Sequence, residues 1–239
     1  MNPLYWQDAY QKEFEAEVEA VSGEGEKTGK FIVLNQTCFY PTGGGQPADT
    51  GSIKSGDGEY KILFVGKFNG KISHEVDKAG LKVGDKVKGV LNWERRYKLM
   101  KMHTAAHLLA AIINMETGAL ITGNQLEEDK SRIDFSLENF DKEKMQEYVE
   151  KANQHIQEKL PVSSFFISLE EAKKDESLFK LAKGFSHALE ELRIVEIKGV
   201  DKQADGGTHV KSLEEIGKIV LLRVDNKGKD NRRLYYTLE

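Results

Sequence analysis

At 239 residues the chain has room for one large domain or two small ones, since domains run roughly 100–200 residues. A formal net charge of −4 with 31% charged residues gives no global pull toward nucleic acid or a membrane surface. Lys and Arg number 11 against 13 Asp and Glu up to residue 92, and 24 against 26 after it, so neither half is basic and any nucleic-acid surface has to be a local patch.

Cys38 is the single cysteine, which excludes an intramolecular disulfide and fits a cytoplasmic location. The opening MNPLYWQDAYQKEFEAE is polar and acidic, unlike a signal peptide. No run approaches the ~18 apolar residues of a membrane span, so no membrane partner is expected. The oligomeric state is not legible, and there is no internal repeat.

Residues up to about 92 read as mostly β. Phe31 to Leu34, Tyr60 to Val65 and Lys86 to Leu91 are β-favouring runs, punctuated by the turn signals SGDG, FNG and AGLKVGD. Short strands with frequent glycine turns predict a small barrel. Within it, TCFYPTGGGQPADTG holds three consecutive glycines, Gly43, Gly44 and Gly45. Free N–H groups there can cradle a phosphate; a plain tight turn is the physically simpler reading. Cys38 reads as a small buried hydrophobe, and His74 falls in a turn-rich stretch.

From Trp93 to Glu116 the pattern predicts a long helix, basic at first and then apolar on most sides, hence buried. A loop (Thr122 to Glu128) and a strand around Arg132 to Phe135 follow. A second helix spans Asp141 to Leu160, with an acidic first turn and a stop at Pro161. Val162 to Ser168 reads as a strand and Leu169 to Lys183 as a charged helix ended by Gly184. Leu192 to Lys198, Ile216 to Val224 and Leu234 to Leu238 are further strands, with a hairpin turn at Asp225 to Asp230. The sum is an α+β chain: a small β-barrel-like domain over residues 1–92, then an antiparallel sheet with helices packed on one face over residues 93–239.

His103 and His107, in HTAAHLL, are four apart on the long helix and so stack one turn apart on one face. Such a pair is half a zinc site. By itself it is more often a surface or core pair. The loop Asp205-Gly206-Gly207-Thr208-His209 offers a carboxylate and a third imidazole, and its glycines allow a sharp turn. His103, His107, Asp205 and His209 make a tetrahedral zinc set, one Zn2+ per chain. His74, His155 and His187 read as bystanders. No Glu follows His103, which argues against an HExxH peptidase.

TCFYPTGGGQPADTG, HTAAHLL, RIDF, DKQADGGTHV and KGKDNRRLYY, in this order from about Asn35 onward, resemble the freestanding alanyl-tRNA editing proteins of the AlaX type. The front glycine-rich domain is similar to that of the medium-length form. The resemblance implies trans-editing of tRNA(Ala) mischarged with serine, or in some members glycine, by a zinc-binding editing domain over residues 93–239. It implies zinc held by His103, His107 and His209, with the family's loop cysteine replaced here by Asp205. Aspartate is the harder donor, so it either closes a His3Asp site or leaves an open position. Zinc at such a site polarises a carbonyl, activates water or orients the substrate, and the sequence does not choose among these.

Thr104, about 100° round the helix from His103, is a candidate to recognise a seryl hydroxyl, and on the same resemblance Gln125 is expected at the substrate. Against this, a helical Thr also bonds back to its own backbone, and Gln125 is also readable as a solvated loop residue. The letters Gly44-Gly45-Gln46 also match the GGQ of release factors, but they sit inside the editing motif. Gly43, Gly44, Gly45, Arg95, Arg96 and Lys101 are candidate tRNA contacts, with Lys227, Lys229, Arg232 and Arg233 as a second basic cluster; a solvated face is the commoner explanation of such clusters. A tRNA-binding module without hydrolysis, or a zinc hydrolase of another ester, are the alternatives.

Overall fold

The computed structural model describes residues 2–23, 30–138, 141–179 and 190–239. The chain forms two compact units, Met1–Tyr97 and Lys98–Glu239.

The first unit is a closed antiparallel barrel. Its strands run in the order Glu13–Ser22, Phe31–Leu34, Lys71–Val76, Gly58–Phe68, Gly51–Ser55 and Lys86–Leu91, the last pairing back to the first. Closure removes the exposed edges that an open sheet of this size would present. Inward positions alternate along each strand, and Ile32, Leu34, Ile53, Val65 and Val76 are fully buried. Each such side chain contributes about 1.5–3 kcal/mol by leaving water. Glu13–Ser22 is a ten-residue strand that the acidic composition conceals, although EFEAEVEA alternates at period two.

His74 is not in a turn. It sits on Lys71–Val76, fully buried, with Nε2 2.9 Å from the Thr37 hydroxyl and Nδ1 3.3 Å from the Ile32 carbonyl oxygen. Burial pushes its pKa down to about 4, so it is a neutral core residue. Cys38 is buried as expected, and burial pushes its thiol up to about 12.

The three glycines form a tight turn. Gly43 N–H donates to Gln46 O at 3.1 Å and Gln46 N–H returns to Gly43 O at 2.9 Å, while Gly44 and Gly45 take φ of 57° and 83°. Two consecutive positive φ values are the reason for glycine here. Gly43's N–H is therefore spent within the turn.

Arg96, expected among the tRNA contacts, is fully buried. Its Nε donates to Asp49 Oδ1 at 2.9 Å, its Nη1 to Ala9 O at 3.0 Å, and its Nη2 to Cys38 O at 2.5 Å and to Asp49. A fully buried guanidinium tied to these acceptors is a structural tie, out of reach of a phosphate at the surface. Arg95 is half-buried and donates to Ala48 O at 3.2 Å.

In the second unit the strands divide between two antiparallel sheets. One has the order Ile219–Asn226, Arg232–Leu238, Ser131–Phe135, Ile121–Gln125; the other has Val162–Ser168, Glu191–Ile197, Asp201–Ala204. The expected loop at Thr122 to Glu128 is thus partly a strand. The long helix Trp93–Thr117 starts in the first unit and ends in the second, and nearly every residue from Leu99 to Ile113 is buried. On its way past the first sheet, Tyr236 donates its hydroxyl to Met102 O at 2.7 Å.

The helix Lys142–Gln157 starts at Asp141, whose carboxylate accepts from Glu143 and Lys144 N–H. The expected helix at Leu169 to Lys183 is helical only over Leu169–Ala172, followed by a short 3-10 turn at Glu176–Leu178. Its remainder and His187 lie outside the described residues. No helix among the described residues is long and apolar enough to cross a membrane.

Arg232 and Arg233 are also committed. Arg232, 6% exposed, clamps the hairpin turn through Asn226, Gly228 O and Asn231 O, and Arg233 forms a two-bonded pair with Asp134 at 2.7 and 2.8 Å.

Candidate metal centre

The helix Trp93–Thr117 brings His103 and His107 to one face, with ring centroids 5.2 Å apart. The loop after Asp201–Ala204 brings Asp205 and His209 onto that face. The His209 ring lies 4.3 Å from that of His103 and 4.7 Å from that of His107. One donor atom from each of the four residues falls within 4.8 Å of every other. The Asp205 carboxylate faces three Nε2 atoms, at 3.1 Å for His209, 3.6 Å for His103 and 4.0 Å for His107.

Two of the tautomers follow from the outer hydrogen bonds. His107 Nδ1 lies 3.1 Å from Asp201 Oδ2, a buried carboxylate that only accepts, so the proton sits on Nδ1. Thr104 Oγ1 donates to Met100 O at 3.0 Å and accepts from Val210 N–H at 3.2 Å; having one proton, it takes the His209 Nδ1–H at 3.1 Å as an acceptor. Both rings therefore turn an Nε2 lone pair toward a carboxylate. Lone pairs and an anion converging in a buried place repel unless a cation lies among them, so the donor set fits a divalent metal.

Charge states agree. Burial pushes His103 well below its ordinary value and His209 down to about 4, so both are neutral near pH 7. Asp205 accepts the Gly207 N–H, a hydrogen bond that favours its ionised form. Neutral imidazoles and an ionised carboxylate are the ligating forms.

The loop's glycines act differently from the expectation. Neither has positive φ, so no left-handed turn requires them. A Cβ on Gly207 would run into the His103 ring, whereas a Cβ on Gly206 would meet nothing within 4 Å. Gly207 is needed for space. Its N–H also donates to Asp205 Oδ2 at 2.5 Å, and Arg193 Nη1 holds the carbonyls of Asp205 and Gly207 at 3.1 and 2.9 Å.

Gln125 is exposed at the end of its strand, with its amide bonded to Glu127 at 2.7 Å and Arg132 at 3.2 Å. The structure does not bring it into the metal cluster. Thr104 is fully buried, bonds back to its helix as the simpler expectation held, and braces His209. Asp201 is the residue the sequence reading missed. The available signal was the pattern Asp201, Gln203, Asp205, which shares one face when the segment is a strand.

The profile described as tRNA synthetases class II (A) matches residues 7–95, and the one described as Threonyl and Alanyl tRNA synthetase second additional domain matches residues 192–235. An alanyl-tRNA editing protein AlaX-M of Methanosarcina barkeri is 53% identical over 98% of this chain and 98% of its own length. The AlaX-M of Saccharolobus solfataricus is 41% identical over 99% of this chain and 98% of its own. This chain belongs to the alanyl-tRNA editing family.

An alanine–tRNA ligase of Methanococcus maripaludis is 36% identical over 98% of this chain and 25% of the ligase. The editing family's full length is thus matched by one stretch of a much longer enzyme.

Proposed function

We propose that this protein hydrolyses the ester of mischarged tRNA(Ala), with serine as the foremost substrate, and that one Zn2+ is held by His103, His107, His209 and Asp205. The observation that carries the reading is the convergence of three Nε2 atoms and one carboxylate within a buried cluster, in a chain whose relatives are named for alanyl-tRNA editing. A zinc ion held by this set would supply a Lewis acid for the ester's hydrolysis. The chain's own residues do the rest. Asp201 and Thr104 fix the ring orientations of His107 and His209. Burial keeps His103 and His209 unprotonated and excludes bulk water from the cluster. A second hydrolytic site is useful because an alanine pocket rejects glycine and serine incompletely.

The exposed turn at Gly44 with half-buried Arg95 and Lys101 are the remaining tRNA-contact assignments; the described residues of the barrel hold no member of the candidate metal cluster, and the barrel is assigned to tRNA positioning. An aminoacyl-tRNA substrate places the reaction in the cytoplasm, where translation runs.

The test is deacylation of seryl-, glycyl- and alanyl-tRNA(Ala) with and without a chelator. Release of serine that stops on chelation and returns with zinc is expected. Binding of the tRNA without hydrolysis would instead indicate a binding module, and hydrolysis of simple esters but not of the tRNA would indicate another hydrolase.

A further inference from the structure

The strand Asp201–Ala204 alternates its side chains, so Asp201 and Gln203 share a face, and Asp205 N–H, bonded to Arg193 O at 3.0 Å, continues the ladder and keeps Asp205 on it. Both acids on that face reach histidines of the long helix, Asp201 to His107 at 3.1 Å and Asp205 to His103 at 3.6 Å. Gln203 lies between them. It is 5% exposed, and its Oε1 is buried with no hydrogen-bond partner. Buried acceptors are nearly always paired, and an unpaired one needs an explanation. A leucine or methionine would fill this space without the penalty. The residues beside it are fully spoken for: Asp201 on His107, and Asp205 on Gly207 N–H and the imidazoles.

We infer that Gln203 is the specificity residue of the site: its Oε1 accepts the hydrogen bond of the hydroxyl of a seryl group held at the metal cluster. This deepens the reading above and rests on it. Serine and alanine differ by that hydroxyl alone. A seryl group completes the orphaned acceptor, whereas an alanyl group, smaller by the hydroxyl oxygen, leaves it unpaired. A site built to bond a hydroxyl rejects the analogue lacking it far more strongly than a hydrophobic pocket rejects a size difference. The same acceptor disfavours glycine relative to serine, because glycine brings no donor. The correctly charged tRNA is thereby spared.

The experiment uses the full zinc-loaded chain and non-hydrolysable amide-linked seryl-, alanyl- and glycyl-adenosine, with binding measured by calorimetry and zinc content by metal analysis. Wild type is expected to prefer the seryl compound over the other two by roughly 10- to 100-fold. Gln203→Met, similar in length and without the acceptor, is expected to bring the three affinities within about threefold with zinc content unchanged. A variant that keeps the seryl preference overturns the inference, as does one that weakens all three equally, which is the mark of a merely structural role. Should Gln203→Met fail to fold, the wild-type ratios decide, and a seryl-to-alanyl preference below about twofold overturns the assignment. Wild type that binds none of the three and deacylates no tRNA overturns the underlying function, an outcome distinct from a flat set of ratios.

Discussion

At the residue scale, Asp201, Asp205 and Gly207 make separable predictions. Asp201→Leu keeps the size but removes the acceptor that fixes the His107 tautomer, so zinc affinity should fall roughly 10- to 100-fold while the fold persists. Competition against a chelating dye measures it, and unchanged affinity would remove Asp201 from the site. Asp205→Cys replaces an ionised donor by a thiol that must lose a proton near pH ~8.5 to ligate. If Asp205 is a ligand, the variant should hold zinc more tightly and with a steeper pH dependence; if Asp205 only bonds the His209 ring, affinity should barely move while deacylation changes. Gly207→Ala should lose the metal site because a methyl there meets the His103 ring, whereas Gly206→Ala meets nothing and should be within about 1 kcal/mol of wild type. Thermal melts with and without zinc separate the pair, and equal behaviour of the two variants would refute the packing argument.

At the element scale the barrel carries its own pH sensitivity. His74 protonates near pH 6.5 when unfolded and only near 4 when folded. Its contribution is thus complete above pH 6.5 and drains away as pH falls from 6.5 to 4, by about 3 kcal/mol in all. Trp6 and Trp93, the chain's two tryptophans, both lie in the barrel unit, so their fluorescence reports it. Urea midpoints followed by tryptophan should fall across that window; a flat midpoint would place His74 in a different state. The barrel strands were legible where β-favouring residues cluster, as at Phe31–Leu34 and Lys86–Leu91. Glu13–Ser22 was not, because alternate glutamates mask its inward Phe14 and Val18. His74 was misplaced for a related reason: a turn-rich neighbourhood outweighed its inward strand position.

At the scale of the whole molecule, two compact units with separate cores are expected to unfold in more than one step. The four candidate metal ligands all lie in the second unit, and a ligand stabilises the state that binds it by mass action. Zinc should therefore raise the transition seen by circular dichroism of the helices and leave the tryptophan transition in place. A tryptophan midpoint that rises with zinc by as much as the helical one would show the units unfolding as one.

The amino-acid sequence by itself determined the α+β class, the barrel, the long buried helix and the four candidate donors. Each is a local pattern: a period of two, a period near 3.6, an i,i+4 histidine pair, a glycine-bearing acid/His loop. Tertiary structure alone decided which charges are free and which are spent. Arg96 and Arg233 look like surface cations in the chain and are paired to Asp49 and Asp134, 47 and 99 residues away. Asp201 meets His107 across 94 residues and Thr104 meets His209 across 105. The partner of a buried polar group is chosen by desolvation, which forces it to find a complement wherever the fold supplies one, and no local pattern encodes that meeting.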